Sequence, residues 1–143
     1  MANLVMSGFD ELNSAFNRIG DIPFEVTAEA LTEMATVAAD KIKSSGEQMG
    51  VRDPESDVHI LDKIKPAKPK QTPGGGRCDI TFSGTRTRHN IKTRNAEIAF
   101  INEYGKRGQD ARPFIKTGMS DEESIAAPGE KIIGDWIENE FKR

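Results

Sequence analysis

The chain has 143 residues, of which 36% are hydrophobic and 30% charged, and its formal net charge is −3. This length fits one domain, and no run approaches the roughly 18 apolar residues that a membrane-spanning helix needs. The single cysteine, Cys78, excludes a disulfide within the chain and a four-cysteine zinc site. The N-terminal sequence lacks the pattern of a secretory signal, so we expect a protein that stays in the cytosol until it assembles.

The charges are distributed unevenly along the chain. Residues 63–94 hold nine Lys and Arg and one acid, a net charge of +8, whereas the remainder has a net charge of −11. Such a segment can contact nucleic acid phosphates, dock on an acidic neighbouring subunit, or form a solvated loop. The nine basic residues are Lys63, Lys65, Lys68, Lys70, Arg77, Arg86, Arg88, Lys92 and Arg94.

The spacing of apolar residues predicts two helices in the first third of the chain. The first spans 7–19, and the second and stronger one spans 22–46, where Gly46 is expected to end it. The apolar stripe of the second helix is typical of a surface that faces a protein core. Residues 47–58 are polar and predict a flexible loop.

The next segment predicts a long β-hairpin. Residues 59–70 alternate Lys with apolar side chains, but Pro66 and Pro69 cannot donate to a strand ladder, so this strand should lie at a sheet edge. Residues 78–82 alternate cleanly and predict the second strand. The Gly-rich connection at 71–77 is expected to be flexible, and it lacks the glycine spacing of a phosphate-binding loop.

The remaining elements are mostly helical. Residues 83–95 are polar and basic and predict an exposed, flexible loop, whereas 96–104 favours a short helix over a strand. One helical turn is expected at 114–118 and a helix at about 128–141, and residues 121–123 resemble the acidic start of a helix. The order predicts a single α+β domain, a small antiparallel sheet with a long hairpin packed against a long N-terminal helix and a C-terminal helix.

The most distinctive pattern lies between residues 96 and 119. An apolar, aromatic segment ends in Glu-Tyr-Gly, a charged turn follows, and an Ala-Arg-Pro-Phe element comes next. This order resembles the tail-completion (head–tail joining) proteins of long-tailed bacteriophages, in which a Glu-aromatic-Gly sequence precedes a variable turn, an Arg-Pro-Phe element and a closing helix. The matching residues are Glu103, Tyr104, Gly105, Arg112, Pro113 and Phe114.

The resemblance implies a structural protein of the virion neck, made in the host cytoplasm, that completes the tail and joins it to the head. It implies no cofactor and no membrane. Expected partners are further copies in a ring, commonly six-fold, together with the head connector or stopper and the tail tube or terminator. The basic segments 63–77 and 83–95 would then face neighbouring subunits or DNA in the channel. A tail terminator capping the tube is one alternative, and a nucleic-acid-binding module using the basic 63–94 region is an alternative of another class.

Individual residues favour structure over catalysis. His59 and His89 stand apart from any nucleophile or metal-ligand motif, so we expect neither an enzyme nor a metal site. Arg112 is predicted to form a bidentate bond with the Glu103 carboxylate, or else to be an exposed turn arginine. Phe114 is expected to anchor the core or an interface, and Gly105 is expected to adopt a left-handed backbone.

Overall fold

The computed structural model describes residues 21–73 and 75–142. The helix predicted at 7–19 lies outside them. The first described helix, α1, spans Phe24–Gln48 and follows Pro23, whose fixed φ suits the start of a helix.

Gly46 was predicted to end this helix, and that prediction is wrong. The helix continues to Gln48, and Gly46 is buried inside it. A Cβ at this position would lie 2.5 Å from Leu61 Cδ2 and 3.2 Å from Phe114 Cδ2. The glycine therefore provides room for close packing and not a stop signal.

The predicted long hairpin is confirmed, but its first strand begins only at Ile64, because Ile60–Lys63 form a 3-10 turn, and strand pairing continues into the Gly-rich segment 71–77. The hairpin consists of four short strands: β1 (Ile64–Pro66), β2 (Lys70–Thr72), β3 (Gly75–Arg77) and β4 (Ile80–Phe82). β1 pairs antiparallel with β4, and β2 with β3. Between these pairs, three residues of the first arm oppose two of the second, as in a β-bulge. β1 has only β4 as a described neighbour, so its proline lies at a sheet edge, as expected.

Residues 83–95 were predicted to be a flexible loop, and that prediction is wrong. They form a second hairpin, with β5 at Thr85–Arg88 and β6 at Ile91–Arg94. Its turn residues, His89 and Asn90, have φ angles of 51° and 64°, which suit a tight two-residue hairpin turn. The polar sequence concealed these strands because neither arm carries an apolar alternation.

Three further helices follow in the described residues: α2 (Asn95–Tyr104), α3 (Phe114–Met119) and α4 (Glu122–Phe141). The first two confirm the predictions. The last begins well before residue 128, so Pro128 lies inside the helix. Asp121 caps it by accepting a backbone N–H bond in the first turn, so the acidic start noted in the sequence sets the boundary.

The helices and the long hairpin pack as an α+β domain. α1 contacts α4, α3 and the long hairpin, while α2 contacts α3, β4 and β6. Residues of the core come from α1, the 3-10 turn at Ile60–Lys63, α2 and α3. The small antiparallel sheet is present as three two-stranded ladders. No helix among the described residues combines the length and apolar character needed to cross a membrane.

Candidate assembly site

Residues 103–116 fold into one unit, here called the closure. Glu103 is only 8% exposed, and its carboxylate accepts N–H bonds from Ile115 at 2.7 Å and Lys116 at 3.0 Å. These donors belong to the first turn of α3, where backbone N–H groups have no partner within the helix. A negative charge there also suits the helix dipole. A side chain of α2 therefore caps α3.

Arg112 does not bond to Glu103, so the predicted bidentate pair is wrong. The Arg112 backbone N–H donates to the Asn102 carbonyl at 2.6 Å, and its Nη1 donates to the Gly50 carbonyl at 2.7 Å. The Glu103 oxygens are occupied by the backbone of α3. Arg112 instead joins the end of α2 to the loop that follows α1.

Gly105 has a left-handed backbone, as predicted, with φ of 76°. Its N–H donates to the Ile101 carbonyl at 2.8 Å and ends α2. A Cβ here would lie 2.8 Å from the Ala111 nitrogen and 2.9 Å from the Gln109 carbonyl oxygen. The turn can approach the helix end so closely only because residue 105 has no side chain.

Replacing Gly105 by Ala is expected to lower the free energy of unfolding by about 2–3 kcal/mol, since positive φ and a backbone clash act together. Gly108→Ala is the matched control. Gly108 has φ of 83° but no atom within 4 Å of a Cβ, so only the backbone cost of about 1 kcal/mol should remain. Urea denaturation of both variants checks this, and equal losses would contradict the role of the close contact.

Two motif aromatics have opposite environments. Phe114 is 0% exposed and meets Phe82 edge to face, with ring centroids 5.9 Å apart, which confirms it as a core anchor. Tyr104 is 70% exposed and contacts Phe100, itself 63% exposed, at a centroid distance of 4.8 Å. Tyr104 and Phe100 thus form an aromatic pair on the surface of α2.

Beside the closure lies an open groove of about 400 Å³, here called the basic groove. Its walls are the loop after α1, the inner face of the β5–β6 hairpin, and the segment from α2 to residue 112. Val51 and Ile98 contribute buried apolar surface. The charged side chains that line it are Arg52, Asp53, Arg86, Arg88, Lys106 and Arg112.

Ion pairs attach the β5–β6 hairpin to the loop after α1. Asp53 Oδ2 lies 3.3 Å from Arg86 Nη1 and 3.0 Å from Arg88 Nη1, and Arg88 Nη2 lies 2.6 Å from Glu55 Oε2. The Asp53 and Arg86 side chains are only 18% and 15% exposed, so this contact is screened less than a surface pair. The hairpin is therefore held in place by charge rather than by an apolar face.

Arg52 joins the end of α1 to the 3-10 turn. It donates to Glu47 and, at 3.0 Å from each nitrogen, to both oxygens of Asp62. The hydrogen bonds from Arg52 are the main cause that lowers the pKa of Asp62 to about 2, and they also lower the pKa of Glu47. This network fixes one end of the groove.

Arg52→Gln is expected to return the pKa of Asp62 from about 2 toward its ordinary 3.8. Because the folded pKa lies below the unfolded value, the pair stabilises the fold above about pH 3.8 and loses this effect as the pH falls toward 2. An NMR titration of the carboxyl groups checks this. Asp121, whose pKa is lowered to about 2 mainly by Lys41, is the internal control and should not change.

The nine basic residues singled out in the sequence do not form one surface. Four arginines have carboxylate partners within the chain: Arg77 with Asp79, Arg86 with Asp53, Arg88 with Asp53 and Glu55, and Arg94 with Glu97. Five lysines are exposed and make no ion pair with another described residue, and these are Lys63, Lys65, Lys68, Lys70 and Lys92. Only Arg86 and Arg88 line the basic groove.

Sequence reasoning missed Arg52, Asp53 and Lys106 as site residues. Arg52 and Asp53 lie in the polar loop predicted at 47–58, and Lys106 lies in the charged turn that follows Glu-Tyr-Gly. No local pattern showed that Asp53 would meet β5, which lies more than 30 positions further along the chain. Within the described part of the chain, no group of three or more His, Cys, Asp or Glu side chains is placed to hold a metal ion.

Comparisons of the chain with protein-family models, with curated proteins and with solved structures found no match.

Proposed function

We propose that this chain is a structural neck protein of a long-tailed phage or prophage, which completes the tail and joins it to the head connector as one subunit of a ring. The closure supports this proposal most directly. The six positions that resemble the tail-completion proteins lie in one unit, in which Glu103 caps α3, Gly105 permits the turn and Phe114 enters the core.

The distribution of charge and exposed aromatic surface also supports an assembly role. Phe100 and Tyr104 present an aromatic pair to solvent on α2, and other residues of the same helix line the groove with its cations. Aromatic and arginine side chains are enriched at protein interfaces. A subunit of a ring needs such surfaces for its neighbours, and a small charged domain can dock by complementary potential.

Electron microscopy of lysates from a phage or prophage lacking this gene tests the proposal. DNA-filled heads beside separate tails of normal length are the expected result, and the gene supplied in trans should restore virions. Tails of uncontrolled length would instead assign the protein as a tail terminator. Intact, infectious virions would overturn both roles.

A second candidate function is binding to nucleic acid, and the lysines of the long hairpin favour it. Lys63, Lys65, Lys68 and Lys70 are exposed and have no carboxylate partner among the described residues. Exposed lysines without a carboxylate partner can neutralise phosphates. Filter binding of duplex DNA at rising salt tests this, with all four lysines changed to Gln as the comparison. Salt-dependent binding that the variant loses would support a DNA contact, and the absence of binding would leave assembly as the role of this face.

A further inference from the structure

We propose that the basic groove of one copy binds the acidic outer face of α4 on the next copy. This inference rests on the ring of the proposed function and names the two surfaces that form its repeated contact. The groove is the concave, cationic surface, and α4 supplies a convex, acidic helix with an exposed aromatic end.

The groove has positive charge that the described residues do not neutralise. Among the described residues, Asp53 is the only acid that lines it, and this carboxylate is already shared by Arg86 and Arg88. Arg112 donates to a neutral carbonyl, and the Lys106 ammonium forms no ion pair with a described residue. A carboxylate entering the groove would meet both. The neighbouring concavity adds Ile91, which is 67% exposed, so the surface also offers apolar contact.

The outer face of α4 has the matching chemistry. The helix contains six acids and one base. Glu123, Glu130 and Phe141 are all exposed, and their spacings of seven and eighteen residues place them on one side of a helix with 3.6 residues per turn. Lys131, which forms an ion pair with Asp135, follows Glu130 by one residue and therefore lies about 100° further round the helix. Glu123 and Glu130 therefore present carboxylates and Phe141 an apolar side chain to a partner.

The two surfaces lie on different parts of the fold. α4 packs on α1, and none of the described residues that line the groove belongs to α4. Contact between two different patches is heterologous, and repetition of one heterologous contact gives a closed ring or a filament. A ring is the form that a tail-completion role requires.

Charge exchange tests the contact. Lys106→Glu and Glu130→Lys should each weaken self-association of the full chain about tenfold, measured by sedimentation at low salt. A 1:1 mixture of the two variants should recover it, because every contact then joins opposite charges again. Glu29→Lys is the matched control, with the same charge change as Glu130→Lys at an exposed position on α1, and it should associate like the unaltered chain.

Three results would overturn the contact. These are a chain that stays monomeric at its solubility limit, a Glu130→Lys variant that associates normally, and a mixture that fails to recover association. Each is separable from failure of the proposed function. Normal virions from phage lacking the gene would reject the neck role while leaving a measured self-association intact, whereas a joining defect with no self-association would retain the neck role and reject this interface.

Discussion

Phe114→Ala is expected to lower the free energy of unfolding by about 3–5 kcal/mol. Phe114 is 0% exposed and lies in the core with Ile42 and Leu61. Its ring also meets Phe82 edge to face, which adds to the loss from the cavity. The substitution removes the one side chain of α3 that is fully buried in this cluster, and denaturation in urea gives the change directly.

Phe100→Ala is the matched control, since it deletes the same atoms from a ring that is 63% exposed. We expect a loss below about 1 kcal/mol, because little apolar area returns to water. A defect of this variant should instead appear in assembly, because the exposed aromatic pair is available to a partner. Equal losses of stability for Phe100→Ala and Phe114→Ala would contradict the assignment of Phe114 to the core.

The closure shows which structural features local sequence patterns can predict and which they cannot. Gly105 was predicted to have a left-handed backbone because a glycine after a helix is a local signal, and Phe114 was predicted to be an anchor. The partner of Glu103 was not predictable in this way. An Arg nine positions away offered an obvious charge pair, but two backbone N–H groups at the start of α3 took both oxygens. Which backbone N–H groups will bond to a carboxylate cannot be recognised from a local sequence pattern.

The basic groove was still harder to predict, because it depends on tertiary contacts across the chain. Asp53 meets Arg86 and Arg88 only after residues 83–95 form a hairpin, and that hairpin has no apolar alternation. The basic middle of the chain was visible as a net charge. The division of these residues into arginines with ion pairs and lysines without them was not visible in the sequence, since composition does not specify which carboxylates lie nearby.

The closure and the basic groove share three residues, Lys106, Gln109 and Arg112, and Asn102 joins the two. The Asn102 carbonyl accepts the Arg112 backbone N–H, and both side chains line the groove. A defect in the closure should therefore change the shape of the groove as well as the stability of the fold. Conversely, Lys106→Glu changes the groove at an exposed position that takes no part in capping α3, so it can separate assembly from folding.

Glu103→Ala is expected to lower the free energy of unfolding by about 2–4 kcal/mol. It leaves the Ile115 and Lys116 N–H groups in a part-buried site without acceptors, and each unsatisfied buried donor costs about 1–3 kcal/mol. Denaturation gives the total loss, and amide hydrogen exchange should rise first at these two N–H groups.

Two further variants make this test specific. Glu97→Ala removes a carboxylate from the same helix at an exposed position that pairs with Arg94, so its cost should be below about 0.5 kcal/mol. Glu103→Gln keeps the shape and one acceptor oxygen, but its amide NH₂ would face a backbone donor. Its loss should therefore fall between those of Glu97→Ala and Glu103→Ala. If Glu103→Ala loses no more stability than Glu97→Ala, the carboxylate does not cap α3, and the closure must be held by Phe114 and the turn at Gly105 alone.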